Sequence, residues 1–313
     1  MANTYGKVSG TFQEIENAYG KVSGVWKEAD EIYGKVSGTW ELVFAAFTAT
    51  SYSTLSSGSG TFTVPDGANA IHIEASVGGG GGAAGGVSYD RAGGESAGAG
   101  GGSGAFVSDK VFTVTTGETI SYSIGSGGAA GNQTANYGQP KTGSPGTNTT
   151  LSGSSAGSIY TLASGGGASG TGGGVQGPLR TNTSGSAGAA TINGTAITSG
   201  NFRDSDGTTK SVTTLSSGPV GTFNQSGNGT VGANNGNCSG DNCQIGGSPG
   251  GTSYAGNVAG GAGSPQGGST GGVAGTRGSG GGGGGAQYGN ESVTGRAEVG
   301  GAGEVKYRFL RVN

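Results

Sequence analysis

Few residues in this chain belong to types that do chemistry. There is one histidine, His72, in the run Ile71-His72-Ile73-Glu74-Ala75-Ser76-Val77. Strand alternation places it on the polar side, where a lone imidazole is expected to be a solvated surface group. Without a second histidine, neither a Ser/His/Asp nor a Cys/His arrangement assembles elsewhere. Cys238 and Cys243 stand in Asn237-Cys238-Ser239-Gly240-Asp241-Asn242-Cys243. No second pair and no nearby histidine completes a zinc site. They read either as a small disulfide stiffening a loop or as two free thiols, depending on redox compartment. Asp204-Ser205-Asp206-Gly207 has the opening of a calcium loop but lacks its third acidic position and closing Glu, so a polar turn is expected. Gly-x-Gly-x-x-Gly matches arise by chance at this glycine density, and none opens a helix after a strand. Asp and Glu number only 18, and the sequence singles out no pair for glycoside hydrolysis. A non-enzymatic protein with no metal and no cofactor is expected.

Surface recognition is the chemistry that remains. Isolated aromatics and charges interrupt long runs of Gly, Ser, Asn and Thr. Rings give contact area at low entropy cost, and small polar groups adapt their hydrogen bonds. The candidate contact residues are Tyr137, Arg180, Phe202, Arg203, Asp204, Asp206, Phe223, Asn224 and Tyr254.

These residues sit in a chain with 78 glycines among 313 residues, 31% hydrophobic residues and a net charge of −3. So little apolar material often means disorder, but disorder usually comes with high net charge. A neutral, glycine-dense chain can instead pack backbone on backbone, as polyproline II strands do. Local three-residue spacing is visible in Gly272, Gly275, Gly278, Gly281 and Gly284. No basic field exists, so nucleic acid is not an expected partner. The N-terminus lacks the apolar core of a signal peptide, so synthesis in the cytoplasm is expected.

Residues 1–46 hold three copies of a 14-residue unit, beginning Tyr5-Gly6-Lys7-Val8-Ser9-Gly10, Tyr19-Gly20-Lys21-Val22-Ser23-Gly24 and Tyr33-Gly34-Lys35-Val36-Ser37-Gly38. Ser-Gly between β-formers predicts a short hairpin per unit, although Phe12 to Glu16 and Trp26 to Ile32 also suit a helix. Units this small do not bury Tyr5, Phe12, Tyr19, Trp26, Tyr33 and Trp40 alone. They are expected to attach the chain to another chain or to copies of itself.

Residues 47–59 read as a linker. Residues 60–313 read as one glycine-rich domain. In it, strands within 60–125 and 290–313 form a sandwich-like base, and 126–289 form a Gly-rich loop body. Thr61 to Val64 alternates, and Pro65-Asp66-Gly67 is a turn. In the next strand Ile71, Ile73, Ala75 and Val77 share a face, with His72, Glu74 and Ser76 opposite. Ala105 to Thr115 and Glu118 to Gly125 make two more strands around Thr116-Gly117. Ser158 to Ala163 is another strand, and Asn193-Gly194 predicts a hairpin. Glu304 to Leu310 is expected to bury Val305, Tyr307 and Phe309, to solvate Lys306 and Arg308, and to pair with the strand before Gly78. The fold class is all-β with extensive Gly-rich irregular or polyproline II structure.

Thr61 to Gly67 with Ile71 to Gly82, Phe112 to Gly125, and the terminal Gly280–Gly285 run with its final strand resemble the glycine-rich domain of bacteriophage tail and tail-fibre proteins. The body is similar in composition to tip adhesins of T-even-like long tail fibres. The Tyr-Gly-Lys-Val-Ser-Gly units resemble Trp-containing repeats of other phage tail proteins. The resemblance implies a virion protein at the distal tail, joined to other tail proteins through residues 1–46. It implies many copies, with a homotrimer as one arrangement, and a host outer-membrane protein or surface saccharide as receptor. A structural fibre or capsid-surface protein without a receptor, and an ice-binding protein built on glycine helices, are the other readings the sequence admits.

Overall fold

The computed structural model describes residues 5–8, 11–14, 19–28, 31–83, 98–131, 142–168, 185–215, 244–245, 250, 274–275, 278, 286–287 and 297–313. Each N-terminal unit is a hairpin: β1 (Tyr5–Val8) with β2 (Thr11–Glu14), β3 (Tyr19–Val22) with β4 (Val25–Glu28), and β5 (Glu31–Val36) with β6 (Thr39–Ala45). Ser23 and Gly24 have φ of 52° and 83°, and Ser37 and Gly38 have 50° and 92°. Positive φ at both central residues gives the turn whose twist matches the flanking strands.

The following strands are β7 (Ser53–Leu55), β8 (Ser59–Thr63), β9 (Ala70–Val77), β10 (Phe106–Thr113), β11 (Thr119–Ser123), β12 (Thr149–Gly153), β13 (Gly157–Leu162), β14 (Ala190–Ile192) and β15 (Ala196–Ile197). Then come β16 (Asn201–Arg203), β17 (Thr209–Ser211), the single turn α1 (Val212–Leu215), β18 (Gln244–Ile245), β19 (Ala286–Gln287) and β20 (Glu304–Leu310). Two antiparallel five-stranded sheets form a sandwich, ordered β15-β10-β9-β20-β7 and β14-β13-β12-β11-β8. Its core holds Ile71, Ile73, Phe112, Val305 and Phe309 from the first sheet, and Ile120, Leu151, Ile159 and Leu162 from the second. Each such side chain contributes about 1.5–3 kcal/mol by leaving water. Phe62 stacks on Tyr307 with ring centroids 4.5 Å apart. The Tyr160 hydroxyl donates to Ser76 Oγ at 3.0 Å, tying the sheets together.

The final strand pairs with β9, as its alternation predicts. Other expectations are corrected. Register shifts within the β9–β20 pair beside Glu74, so Ser76 turns to Tyr160 in the core in place of Ala75. Asn193-Gly194 is not a hairpin: β14 pairs with β13 and β15 with β10, so the chain crosses between sheets there. Both amides at the crossing donate to the Ile159 carbonyl. Residues 47–59 do not hang free. β7 forms a sheet edge, and Ala49 and Thr50 bond the Arg203 and Phe309 carbonyls. Within 126–289 the sandwich also takes in β13, over the strand expected at Ser158 to Ala163, together with β12, β14 and β15.

Beyond the sandwich the strands run directly into glycine-rich extended segments. Segments 78–83, 124–131 and 163–168 continue β9, β11 and β13 outward; 98–105, 142–148, 185–189 and 297–303 lead back into β10, β12, β14 and β20. Segment 78–83 lies at the centre. Its six N–H groups bond three neighbours in rotation. Gly78 and Gly81 donate to Ala105 and Gly102, Gly79 and Gly82 to Thr147 and Ser144, and Gly80 and Ala83 to Gly301 and Glu298. Its carbonyls accept in the same rhythm, Gly79 and Gly82 from Gly165 and Ala168, and Gly80 and Ala83 from Gly128 and Gly131. A partner that changes with every residue and recurs at the third is the signature of three residues per turn, the polyproline II helix. The N···O distances in this set are 2.7–3.1 Å. Chains this close leave no room for side chains at the contacts: a Cβ on Gly81 would stand 1.9 Å from the Gly166 oxygen, and on Gly82 1.9 Å from that of Ala129.

Candidate functional site

The glycine bundle has two ends, and only one meets the sandwich. At the other end the described parts of the outgoing helices reach Ala83, Gly131 and Ala168. The described parts of the returning ones begin at residues 98, 142, 185 and 297. These ends are bonded into one surface. Ala83 N–H donates to Glu298 at 3.0 Å, Gly131 N–H to Ala83 at 2.9 Å, and Ala168 N–H to Gly82 at 3.0 Å. Gly143 donates to Ala168 at 2.9 Å and Gly185 to Gly100 at 3.0 Å. Ala99 and Ala168 pack together there, fully buried. The described residues that flank 84–97, 132–141 and 169–184 therefore lie together on one rim. Tyr137 and Arg180 belong to them and lie outside the described residues. So do Phe223, Asn224, Tyr254, Cys238 and Cys243.

Four candidates fall elsewhere, on the β16–β17 hairpin. This hairpin covers the outer face of the first sheet, above β9 and β20. Phe202 is 1% exposed and packs with Ala49, Ala70, Val111, Val212 and Leu310. Asp204 is buried too, its Oδ1 2.6 Å from Arg308 Nη1. It also takes an ion pair from Lys210 and the Ser205 N–H at 2.8 Å. These two side chains anchor the hairpin inward and do not face solvent. Asp206 stays exposed and accepts from the Thr208 N–H and hydroxyl at 2.9 and 2.6 Å. Gly207, at φ 80°, closes the turn, with its N–H on the Asp204 carbonyl. The sequence Asp204-Ser205-Asp206-Gly207 is thus a polar turn whose two carboxylates share the Lys210 ammonium. Arg203 is half-buried.

Around Arg308 the outer face is a layered charge cluster. Its guanidinium lies 4.6 Å from the Tyr52 ring centre and 5.4 Å from that of Phe202. Burial alone would raise the Asp204 pKa; hydrogen bonds from Lys210, Ser205 and Arg308 outweigh it and bring the carboxyl down to about 2. Burial pushes the Tyr52 phenol up to about 12, against the pull of Arg308 and with help from Glu74, Asp109 and Asp204. A phenol so raised stays protonated and is no nucleophile. Its oxygen lies 3.0 Å from His72 Nδ1. His72 is 1% exposed, and its Nε2, without a hydrogen bond, lies 3.7 Å from Asp109 Oδ1. His72 and Arg308, both expected in solvent, are therefore buried. Alternation says only that they leave the space between the sheets; residues 46–52 and 197–215 form a second layer over them. The cluster clamps a hairpin to a sheet.

The repeat aromatics divide by what is described. Trp40 and Tyr33 stand out of the β5–β6 hairpin, 67% and 53% exposed. Tyr5, Phe12, Tyr19 and Trp26 occupy equivalent positions in β1 to β4; their side chains lie outside the described set. Sequence reasoning missed the clamp partners Tyr52 and Arg308 and the bundle rim. Glycine runs placed directly after strands were the available signal for the rim.

No curated protein matches the chain in sequence comparison. Residues 54–310 match the family model described as the glycine-rich domain, which spans most of the chain, and the protein belongs to that family.

Proposed function

We propose that this chain is a non-enzymatic adhesin of a bacteriophage virion, placed at the distal end of the tail or a tail fibre, that binds the host cell surface. The supporting observation is the rim of the glycine bundle. Backbone hydrogen bonds hold the described residues that flank 84–97, 132–141 and 169–184 on one surface. Segments rich in Gly, Ser and Asn that carry Tyr137 and Arg180 and depart from fixed flanking residues pay a lower ordering cost on contact. Aromatic and amide-rich loops suit either an outer-membrane protein loop or a surface saccharide. Residues 1–46 join the chain to the particle, and many weak contacts add up through copy number.

The test is binding of the purified full chain to cells of candidate host strains. Replacing 132–141 or 169–184 with a short Gly-Ser connection keeps the bundle contacts. The expected outcome is saturable, strain-selective binding by the parent and its loss in at least one replacement. Binding that every replacement leaves intact rejects the rim as the contact surface. No binding to any strain by clustered protein rejects the adhesin.

A further inference from the structure

Residues 46–55 enter the sandwich as a strap along its last strand. The Thr50 N–H donates to the Phe309 carbonyl at 3.1 Å, and the Phe309 N–H donates to Thr50 Oγ1 at 2.9 Å. Ser53, Thr54 and Leu55 then pair with Tyr307, Lys306 and Val305. The Ala49 N–H bonds the Arg203 carbonyl at 2.8 Å. Between these contacts the Tyr52 hydroxyl lies 3.0 Å from His72 Nδ1. Lys306 Nζ and the Arg308 guanidinium stand 5.1 and 4.6 Å from its ring centre.

The strap runs toward the glycine bundle. Val305 follows Glu304, which pairs with Val77 where β9 passes into Gly78. Leu310 marks the opposite end; it pairs with Ala70, and its carbonyl accepts from the Asn69 N–H. The strap meets Phe309 first and Val305 last, so residues 1–45 join the sandwich at the end away from the rim. Asn313 is at that same far end, bonded to Asn201 through its N–H and its carbonyl. At 56–58 the chain reverses. β8 then runs back beside β11, with Ser59 opposite Ser123 on the bundle side and Thr63 opposite Thr119 at the far end.

The geometry points to a mechanical role for the strap: it carries tension between residues 1–45 and the rim, and carries it in shear. Backbone bonds between antiparallel strands lie perpendicular to the strands. A pull between the N-terminus and the rim draws the strap lengthwise past β20. All its bonds from Thr50 to Leu55 are then strained together. Without the strap, the same pull acts through 56–58 on the bundle-side end of β8 and opens the β8–β11 pair bond by bond. The strap keeps tension off that end. A pull between the N-terminus and Asn313 acts on the same strap differently. Both points lie at the far end, so the strap parts from β20 starting at Thr50, one bond after another. That the virion places such tension on the chain rests on the adhesin reading; the dependence on direction does not.

Single-molecule force spectroscopy on the full chain tests the role. One tether is fixed to the N-terminus. The second is placed within 84–97 in one preparation and after Asn313 in the other. The hairpins of residues 1–45 stand in series in both. The first rupture of the sandwich is expected at a force at least about twofold higher with the 84–97 tether, because the bonds share the load there and bear it singly in the other direction. Thr50→Val with Tyr52→Ala removes the acceptor for the Phe309 N–H and the ring beside Arg308, and is expected to bring the two forces together. Equal forces in the two directions in the parent overturn the inference, whether or not the protein binds cells. So does a rupture with the 84–97 tether whose length gain shows the bundle parting while the strap stays bound. A double variant that keeps the parent's full difference overturns it as well.

Discussion

The sandwich and the glycine bundle are built from the same strands and held together in opposite ways. In the sandwich, sheets stand about 10 Å apart and the gap is filled by Ile, Leu, Phe and Tyr. In the bundle, neighbouring backbones touch, and what fills the space is their own N–H and C=O groups. β9 passes from one regime to the other between Val77 and Gly78. The difference explains how a chain so poor in large apolar residues still orders: hydrogen bonds between chains replace part of the burial, and each is worth about 1 kcal/mol net. It also predicts opposite sensitivities. The sandwich fails when atoms are removed, the bundle when they are added.

The largest effect should come from the smallest addition. Gly82→Ala puts a methyl 1.9 Å from the Ala129 carbonyl oxygen, with the Gly128 oxygen at 3.0 Å. Both obstacles are backbone, so no rotamer relieves them. We expect a loss of about 4 kcal/mol or more, at the exceptional end for one substitution, read as a collapse of the thermal unfolding midpoint. An unchanged midpoint breaks the comparison. Leu151→Ala, at a fully buried sandwich position, removes atoms instead. It should cost about 3 kcal/mol, within the range for deleting a buried leucine, with the bundle retained. Amide exchange on the two variants separates them. The glycine variant should expose 78–83 first, and the leucine variant β12 and its neighbours.

Much of the sandwich was legible because its rules are local. Alternation marks β9 and β20, and Pro65-Asp66-Gly67 turns with Gly67 at φ 84°. Ser-Gly turns the repeats for the same reason. Asn193-Gly194 misled because a turn motif does not say which sheet each flanking strand will join. The bundle was legible in kind but not in order. A neutral, glycine-dense composition admits backbone-on-backbone packing, yet which neighbour Gly81 meets depends on segments far along the chain, and the three-residue spacing from Gly272 to Gly284 lies largely outside the described residues. His72 and Arg308 were misplaced because a second layer, 46–52 with 197–215, covers a face that two-residue periodicity alone assigns to solvent. Tyr137 and Arg180 were chosen for their residue types; nothing local says that the residues flanking their segments meet at one end of a bundle.

The charged layer gives an intermediate effect and a pH signature. Asp204 holds a folded pKa of about 2, below the ~3.9 of an unfolded Asp. A depressed carboxyl contributes stability that is fully present above the unfolded value and lost as pH falls through the folded one. The clamp should therefore weaken from about pH 5 down to about pH 2, by about 2 kcal/mol in total. Asp204→Asn should flatten that part of the stability profile. Arg308→Ala should cost a similar amount, since Lys210 still faces the carboxylate. If the Asn variant keeps the full acid slope, the pH dependence belongs to other groups and the outer layer is held by Phe202 packing alone.

The smallest effect sharpens the account of the bundle, since it removes a hydrogen bond without adding an atom. Ser144 Oγ accepts from the Ala129 N–H at 2.8 Å on the exposed side. At this point a side chain completes the bundle's bonding. Ser144→Ala leaves that amide within reach of water, so the cost should be only about 0.5–1 kcal/mol. The same donor buried at Gly82, whose N–H bonds the Ser144 carbonyl at 2.9 Å, has no such replacement. A Ser144→Ala loss as large as that of Leu151→Ala would mean that the exposed hydroxyls hold the bundle and that backbone contacts alone do not. A loss within about 1 kcal/mol, beside a Gly82→Ala variant that fails to fold, would assign the bundle's cohesion to its interior amides.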